Sequence, residues 1–321
     1  MKLPRLPYTL ALLLMTAASC NPQRSNNDII CETYVHRYGI PLSAEEWLEQ
    51  GRHGQVVSTL KDGVVVNKTY DSGVLHGETT YTFPYHDGMQ KKEVYHQGLL
   101  QQETSYNLGG LPNQQIIYHS PTNHSLVIWY ENGAPQRKED YENGFLVRGE
   151  YFNPDHMIES IVDDQNGVCT HRNRHGQLEA IEQIQDGKKI LRTTYHPHGV
   201  PQSITSYHNN IEEGQRRTFL PDGEPHTIED WSGGYQHGTT VIFENGEKFA
   251  EVPYVKGEKE GIEYRYRNGN QLVQEISWHK GYQHGPCHTY AGDIKKTEWY
   301  FQGQRMNKQT YDTRYHYSTF Q

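Results

Sequence analysis

Large aliphatic side chains are scarce in this chain of 321 residues. Only 34% of it is apolar, and Tyr alone supplies 24 residues. A thick three-layer core needs more Leu, Ile, Val and Phe than this, so a large α/β globule is excluded. Long apolar runs are also missing. The one present extends from Tyr8 to Ala18, short of the roughly 20 residues that span a bilayer as a helix. Basic charge is in deficit: 30 Lys and Arg stand against 39 Asp and Glu, a net charge of −9. That balance repels phosphate backbones, so no nucleic-acid partner is expected. Cysteine is limited to four residues. No Gly-x-Ser-x-Gly and no Cys-His-Asp grouping accompanies them, and nothing points to a catalytic nucleophile.

The apolar run reads as an address. Lys2 and Arg5 precede it, and Ala17-Ala18-Ser19-Cys20 closes it. A positive start, an apolar stretch of this length and small residues at its end make up a secretory signal. The closing residues resemble the lipobox of bacterial lipoproteins, with Ala17 where the commonest form carries Leu. The resemblance implies cleavage before Cys20, a diacylglycerol on its thiol and acylation of the new amine. The expected partner is then a membrane, reached through the lipid, and the expected location is the bacterial cell envelope outside the cytoplasm. Each buried CH₂ adds about 0.8 kcal/mol, so several acyl chains anchor far better than one. The other reading of these residues is a plain secretory signal cut nearby, with Cys20 incidental. The polar stretch Asn21 to Asp28 reads as a flexible tether.

Glycine is abundant, with 30 residues, and it keeps time. From Gly223 it recurs at 234, 246, 257, 269, 281, 292 and 303, in steps of 11 or 12. Upstream, Gly167, Gly176, Gly187 and Gly199 keep a similar beat. Where the beat skips, turn residues stand near the middle of the gap: Pro121-Thr122-Asn123, Asn153-Pro154-Asp155 and Asn209-Asn210. Between glycines the chain alternates. Ile262, Tyr264 and Tyr266 share one face of a strand, and Glu263 and Arg265 the other. Asn-Gly and Asp-Gly pairs close the units, the strongest short signal for hairpins. The expected fold class is therefore all-β: an elongated, single-layer antiparallel meander of about 22 strands, each about 4.8 Å from the next. Flat Tyr and Trp rings laid over neighbouring strands, with Gly making room, would account for the unusual composition.

Units such as Tyr70-Asp-Ser-Gly73-Val-Leu-His-Gly77, Trp231-Ser-Gly-Gly234-Tyr-Gln-His-Gly238, Tyr254-Val-Lys-Gly257-Glu-Lys-Glu-Gly261 and Trp278-His-Lys-Gly281-Tyr-Gln-His-Gly285 resemble the MORN repeat. They are closest to the MORN-variant repeats of bacterial proteins. The resemblance covers roughly Gly51 to Gly303, and the full Gly-x-x-x-Gly form is degenerate in the middle third. It implies a β-hairpin repeat scaffold that makes contacts with proteins or membranes. Some bacterial relatives are described as antitoxin-like, which gives a second implied role, a neutralising protein. An enzyme with its site on the sheet face is a third reading, although the repeats leave no length for a separate catalytic domain.

The ends differ from the repeats. Ser43 to Gly51 reads as a short capping helix, with Ser43 and Glu46 as a capping box. The resulting organisation is a signal over 1–19, the lipidated Cys and tether over 20–33, an N-terminal cap over 34–50, repeats over 51–303 and a tail over 304–321. The tail is expected to finish the last strand and then fray.

The 19 histidines often precede a repeat glycine, as at His76-Gly77, His237-Gly238 and His284-Gly285. Ligands on separate repeats stand too far apart for zinc, which needs them about 2 Å from one ion, so no metal or other cofactor is expected. Cys169 and Cys287 fall some ten strands apart, well beyond the 4.4–6.8 Å Cα separation of a disulfide. No catalytic residue is assigned, and the chain reads as a non-enzyme. The candidate binding surface is aromatic: Trp129, Trp231, Trp278 and Trp299. Rigid rings of this kind suit contact with an unidentified protein or envelope component.

Overall fold

The computed structural model describes residues 28–318. The signal segment, Cys20 and the first part of the tether lie outside them. The described chain is an antiparallel β-meander with two short helices. It divides into two compact units, the boundary falling between Leu99 and Leu100.

In the first unit the strand Ile29–His36 is followed by the two-residue strand Pro41–Leu42 and the helix Ala44–Glu49. The strands Gly54–Leu60, Val65–Asp71, Val74–Thr82 and Met89–His96 follow as successive antiparallel neighbours. Ile29–His36 pairs along its length with Gly54–Leu60. This corrects the tether boundary, since residues 29–33 belong to the sheet. Their backbone groups find ladder partners, and Ile29 packs on the buried Leu60, Val64 and Val66. The helix starts at the expected capping box. Ser43 Oγ accepts from the Glu46 N–H at 3.2 Å, and the Glu46 carboxylate accepts from the Ser43 N–H at 2.8 Å. Trp47 is buried against Tyr34 and Tyr70, with ring centroids 5.7 and 6.2 Å away. The helix thus covers the face of the first strands. Leu42 and Pro41 pair with Tyr34 and Val35 at the strand edge.

The second unit runs as a meander to the strand Gln304–Met306 and the helix Lys308–Ser318. Its sharpest turns have two left-handed residues. Lys280-Gly281 shows φ of 48° and 77°, and Asn209-Asn210 shows 52° and 64° without any glycine. These are the values of the hairpin turn whose twist matches the strands. Asn tolerates that region because its amide bonds locally, which is why the beat survives a missing Gly. Successive turns are also tied together. The Gly234 N–H donates to the Glu212 carbonyl at 3.0 Å, Gly257 to Gln236 at 2.8 Å, Gly281 to Lys259 at 3.0 Å and Gly303 to Gln283 at 2.9 Å. Each bond joins one hairpin to the hairpin before it.

The residue just before Gly77, Gly214 or Gly261 adds a further tie. The Glu213 carboxylate accepts from the Gly233 N–H at 2.6 Å, and the Glu260 carboxylate from the Lys280 N–H at 2.7 Å. In the first unit His76 Nδ1 accepts from the Gln97 N–H at 3.3 Å. His and Glu recur at this position because each presents an acceptor to a turn amide.

Two local expectations are corrected. Gly167 is not at a bend. The turn is Asp164-Gln165, with φ of 46° and 66°, and Gly167 lies in the strand Asn166–Arg172. The tail finishes its strand as expected, where Trp299 pairs with Met306, but it does not fray at once. It forms a helix because Asn307 Oδ1 caps the Thr310 N–H at 2.9 Å and Tyr311 is buried against Trp299, 5.0 Å between centroids.

Candidate binding surface

A rule that sequence reasoning missed organises the sheet face. The spacing Glu-x-aromatic-x-x-Gly occurs at Glu93/Tyr95/Gly98, Glu139/Tyr141/Gly144, Glu229/Trp231/Gly234 and Glu298/Tyr300/Gly303. Period two puts each Glu on the same face as its aromatic. Glu93 is buried and accepts from Tyr95 at 3.1 Å and Tyr81 at 3.0 Å, with Lys91 at 2.6 Å. Glu139 is buried and accepts from Tyr141 at 3.1 Å and Tyr151 at 2.8 Å. Glu229 accepts from Trp231 Nε1 at 2.9 Å. The aromatics Tyr95, Tyr141 and Trp231 are therefore held by their polar tips as well as their rings. The signal was legible as carboxylates two residues before the beat aromatics.

The four candidate tryptophans lie on four different strands and do not converge. Trp129 ends the strand Asn123–Trp129 opposite Pro135. The other three are half-buried, and each has a cation over its ring: Arg216 at 5.6 Å from Trp231, Lys259 at 4.3 Å from Trp278 and Lys308 at 5.6 Å from Trp299. A partner approaching these rings meets cationic side chains along with aromatic edges.

The most enclosed polar cluster sits mid-unit. Tyr151 is fully buried with Leu146, Val162, Cys169 and Ile184. Its phenol oxygen lies 2.8 Å from both the Glu139 carboxylate and Cys169 Sγ. The phenol has one hydrogen and the carboxylate only accepts, so that hydrogen goes to Glu139 and the Cys169 thiol donates to Tyr151. Burial pushes the Cys169 thiol up to about 12, which keeps it protonated at neutral pH. Beside it, Arg137 bonds His171 at 2.7 Å, and His171 reaches Glu182 at 3.2 Å.

Burial alone would raise the Glu182 carboxyl. The His171 hydrogen bond and the charges of His171, Lys189 and Arg192 override it and hold it at about 2. A carboxyl lowered on folding adds stability above its ordinary value of 4.5, and this stability fades as pH falls toward 2. Acid titration should therefore remove up to about 3 kcal/mol through this group. Urea unfolding between neutral pH and pH 2 checks it. The Glu182→Gln variant should lack that part of the acid loss.

Cys31 is free and exposed, and Cys169 and Cys287 are free and buried. Among the described residues, no three His, Cys, Asp or Glu side chains stand close enough to hold a metal ion. No helix of the described chain is long and apolar enough to cross a membrane.

No protein-family model matches the chain, and no curated protein matches it. Among solved structures it is similar to one described as TcdB2-TccC3-Cdc42, at 11% identity and a TM-score of 0.15, over 88% of this chain and 21% of that one. It is also similar to BamB from Moraxella catarrhalis, at 8% identity and a TM-score of 0.14, over 78% and 82% of the two chains. A porin-like protein from Bacteroides uniformis is 12% identical, with a TM-score of 0.12, over 86% and 91%. The chain spans about a fifth of the first of these, and superpositions this loose bear on neither fold nor function.

Proposed function

We propose that the chain is a non-catalytic scaffold of MORN-like β-hairpin repeats, held at a bacterial membrane through a lipidated Cys20, that binds a protein or another envelope component through its sheet face. The observation that carries this reading is the internal bonding of that face. Its glutamates are engaged by Tyr, Trp, Lys and Arg of the same or neighbouring strands, and its rings are pinned in place. A surface ordered before contact loses little entropy when a partner arrives, which favours binding. The same engagement ties up the groups an acid or base catalyst would need, and the Cys169 thiol is held in its unreactive form.

Mass spectrometry of the mature N-terminus tests the anchor. Cys20 should carry acyl chains, and blocking the lipoprotein peptidase should leave the signal attached. The Cys20→Ala variant should move from the membrane to the soluble fraction. Cross-linking in intact cells should capture a defined envelope partner with the wild-type protein. An unacylated Cys20 removes the anchor from this reading, and cross-linking without any enriched species removes the scaffold role.

A further inference from the structure

Cations close on some glutamates of the sheet face and stand off from others, as Arg137, which bonds His171 instead, does from Glu139 at 3.6 Å and Arg216 does from Glu229. Lys91 reaches Glu93 at 2.6 Å, and Arg265 and Lys259 reach Glu263 at 2.7 and 2.9 Å. Arg216 and Glu229 stand 3.9 Å apart. Glu229 is already taken by the Thr227 hydroxyl at 2.8 Å and Trp231 Nε1 at 2.9 Å. Arg216 Nε is left buried without a hydrogen-bond partner, although its side chain is 34% exposed overall. The repeat thus holds a guanidinium fixed over a ring and short of hydrogen-bond acceptors.

Arg216 lines a groove of about 570 Å³. Its floor carries a row of four hydroxyls, one from each of four adjacent strands. Thr194 pairs across the ladder with Ser203, Ser203 with Thr218, and Thr218 with Thr227. The row is polarised. Thr227 gives its hydrogen to Glu229, so Thr218 donates to Thr227 at 2.6 Å and keeps lone pairs to accept. Thr194 and Ser203, 2.7 Å apart, use one hydrogen between them and keep one to donate. A ligand hydroxyl seated between the two pairs would accept from one and donate to the other. Phe219 lines the same groove, and its carbonyl lies 3.1 Å from His196 Nε2. A carbonyl only accepts, so the His196 Nε2–H donates to it, and in the neutral ring Nδ1 is left to accept.

We propose that this groove binds a carboxylate-bearing sugar, a uronic-acid residue of an envelope glycan. The carboxylate sits on Arg216, and the sugar hydroxyls lie along Thr194, Ser203 and Thr218. A carboxylate fits better than a phosphate. Its single charge matches one guanidinium, whereas the second charge of a phosphate is repelled by Glu229 nearby. The inference gives a ligand class to the sheet face and rests on the binding reading above.

Calorimetric titration of the full-length protein in detergent tests it, with trigalacturonate as the probe and neutral maltotriose and inorganic sulfate as comparators. Trigalacturonate should bind saturably, and maltotriose about tenfold more weakly. Arg216→Gln should weaken trigalacturonate by about tenfold or more, and Thr218→Val by about threefold. Thr194→Val, which leaves Arg216 on its ring, serves if Arg216→Gln fails to fold, and it should also weaken binding. The site is overturned by the absence of saturable trigalacturonate binding, by foldable variants that bind as the wild type does, or by sulfate competing as well as trigalacturonate. Any of these with Cys20 acylation and partner capture intact would remove this site alone and leave the scaffold reading standing.

Discussion

The Gly167→Ala variant should lose about 3–4 kcal/mol of stability in the second unit, the cost of forcing backbone apart where no side chain can yield. A Cβ on Gly167 would lie 2.2 Å from the Ile161 carbonyl oxygen and 2.8 Å from the Val162 Cα. Its φ of 147° is also one that L side chains rarely adopt. The strand Ile158–Asp163 pairs along the ladder with Asn166–Arg172 at only two positions, Val162 with Gly167 and Asp163 with Asn166, and is otherwise tied to it by the side chains of Ser160 with Thr170 and Glu159 with Arg172. Moving Gly167 therefore disrupts the backbone pairing of this junction. Gly144 provides the contrast. It is a turn glycine with φ of 82° and nothing within 4 Å of a built Cβ, so Gly144→Ala should cost only about 1 kcal/mol. Urea midpoints at constant slope separate the two. Equal losses would mean that the junction is not closed as described.

A second large loss is expected from Tyr151→Ala. The side chain is fully buried, and its removal leaves a cavity among Leu146, Val162 and Cys169, worth about 3–5 kcal/mol. It also strips the buried Glu139 of a donor, a further cost of about 1–3 kcal/mol. Tyr151→Phe keeps the ring and removes only the hydroxyl, so it should show the second cost alone. The Cys169 thiol reports on the same site. It should resist alkylation in the wild type and react in Tyr151→Ala under native conditions. A Tyr151→Ala protein as stable as Tyr151→Phe would show that the pocket collapses without loss.

Much of this architecture was written in the spacing of turn residues. The strand-and-turn rhythm, the Asn209-Asn210 substitute for glycine and the Ser43–Glu46 capping box all follow from local chemistry, and local chemistry is what a single sequence carries. Gly167 misled because it falls on the beat while serving a different need, the close approach of two strands. The first strand, Ile29–His36, was passed over because it follows directly on a polar stretch and its ladder partner, Gly54–Leu60, lies beyond a helix. The terminal helix depends on Tyr311 finding Trp299, a contact between side chains that no spacing rule reports. The tryptophans were singled out as rigid rings for a partner, yet three of them have a cation over the ring. Those cations come from neighbouring strands or from the terminal helix, so the covering was invisible one strand at a time. Nothing in the sequence singles out Arg216, because its lack of a partner depends on how Trp231 and Thr227 occupy Glu229.

The bonds that fasten each turn to the hairpin before it bear on how such a protein is made. If the chain crosses a membrane unfolded, as a secretory signal implies, it emerges on the far side from its N-terminal end. Each arriving hairpin then needs only its own bend and the one just completed to lock into place. Assembly can keep pace with export, growing like knitting cast off row by row, and little sticky strand is left waiting for a distant mate.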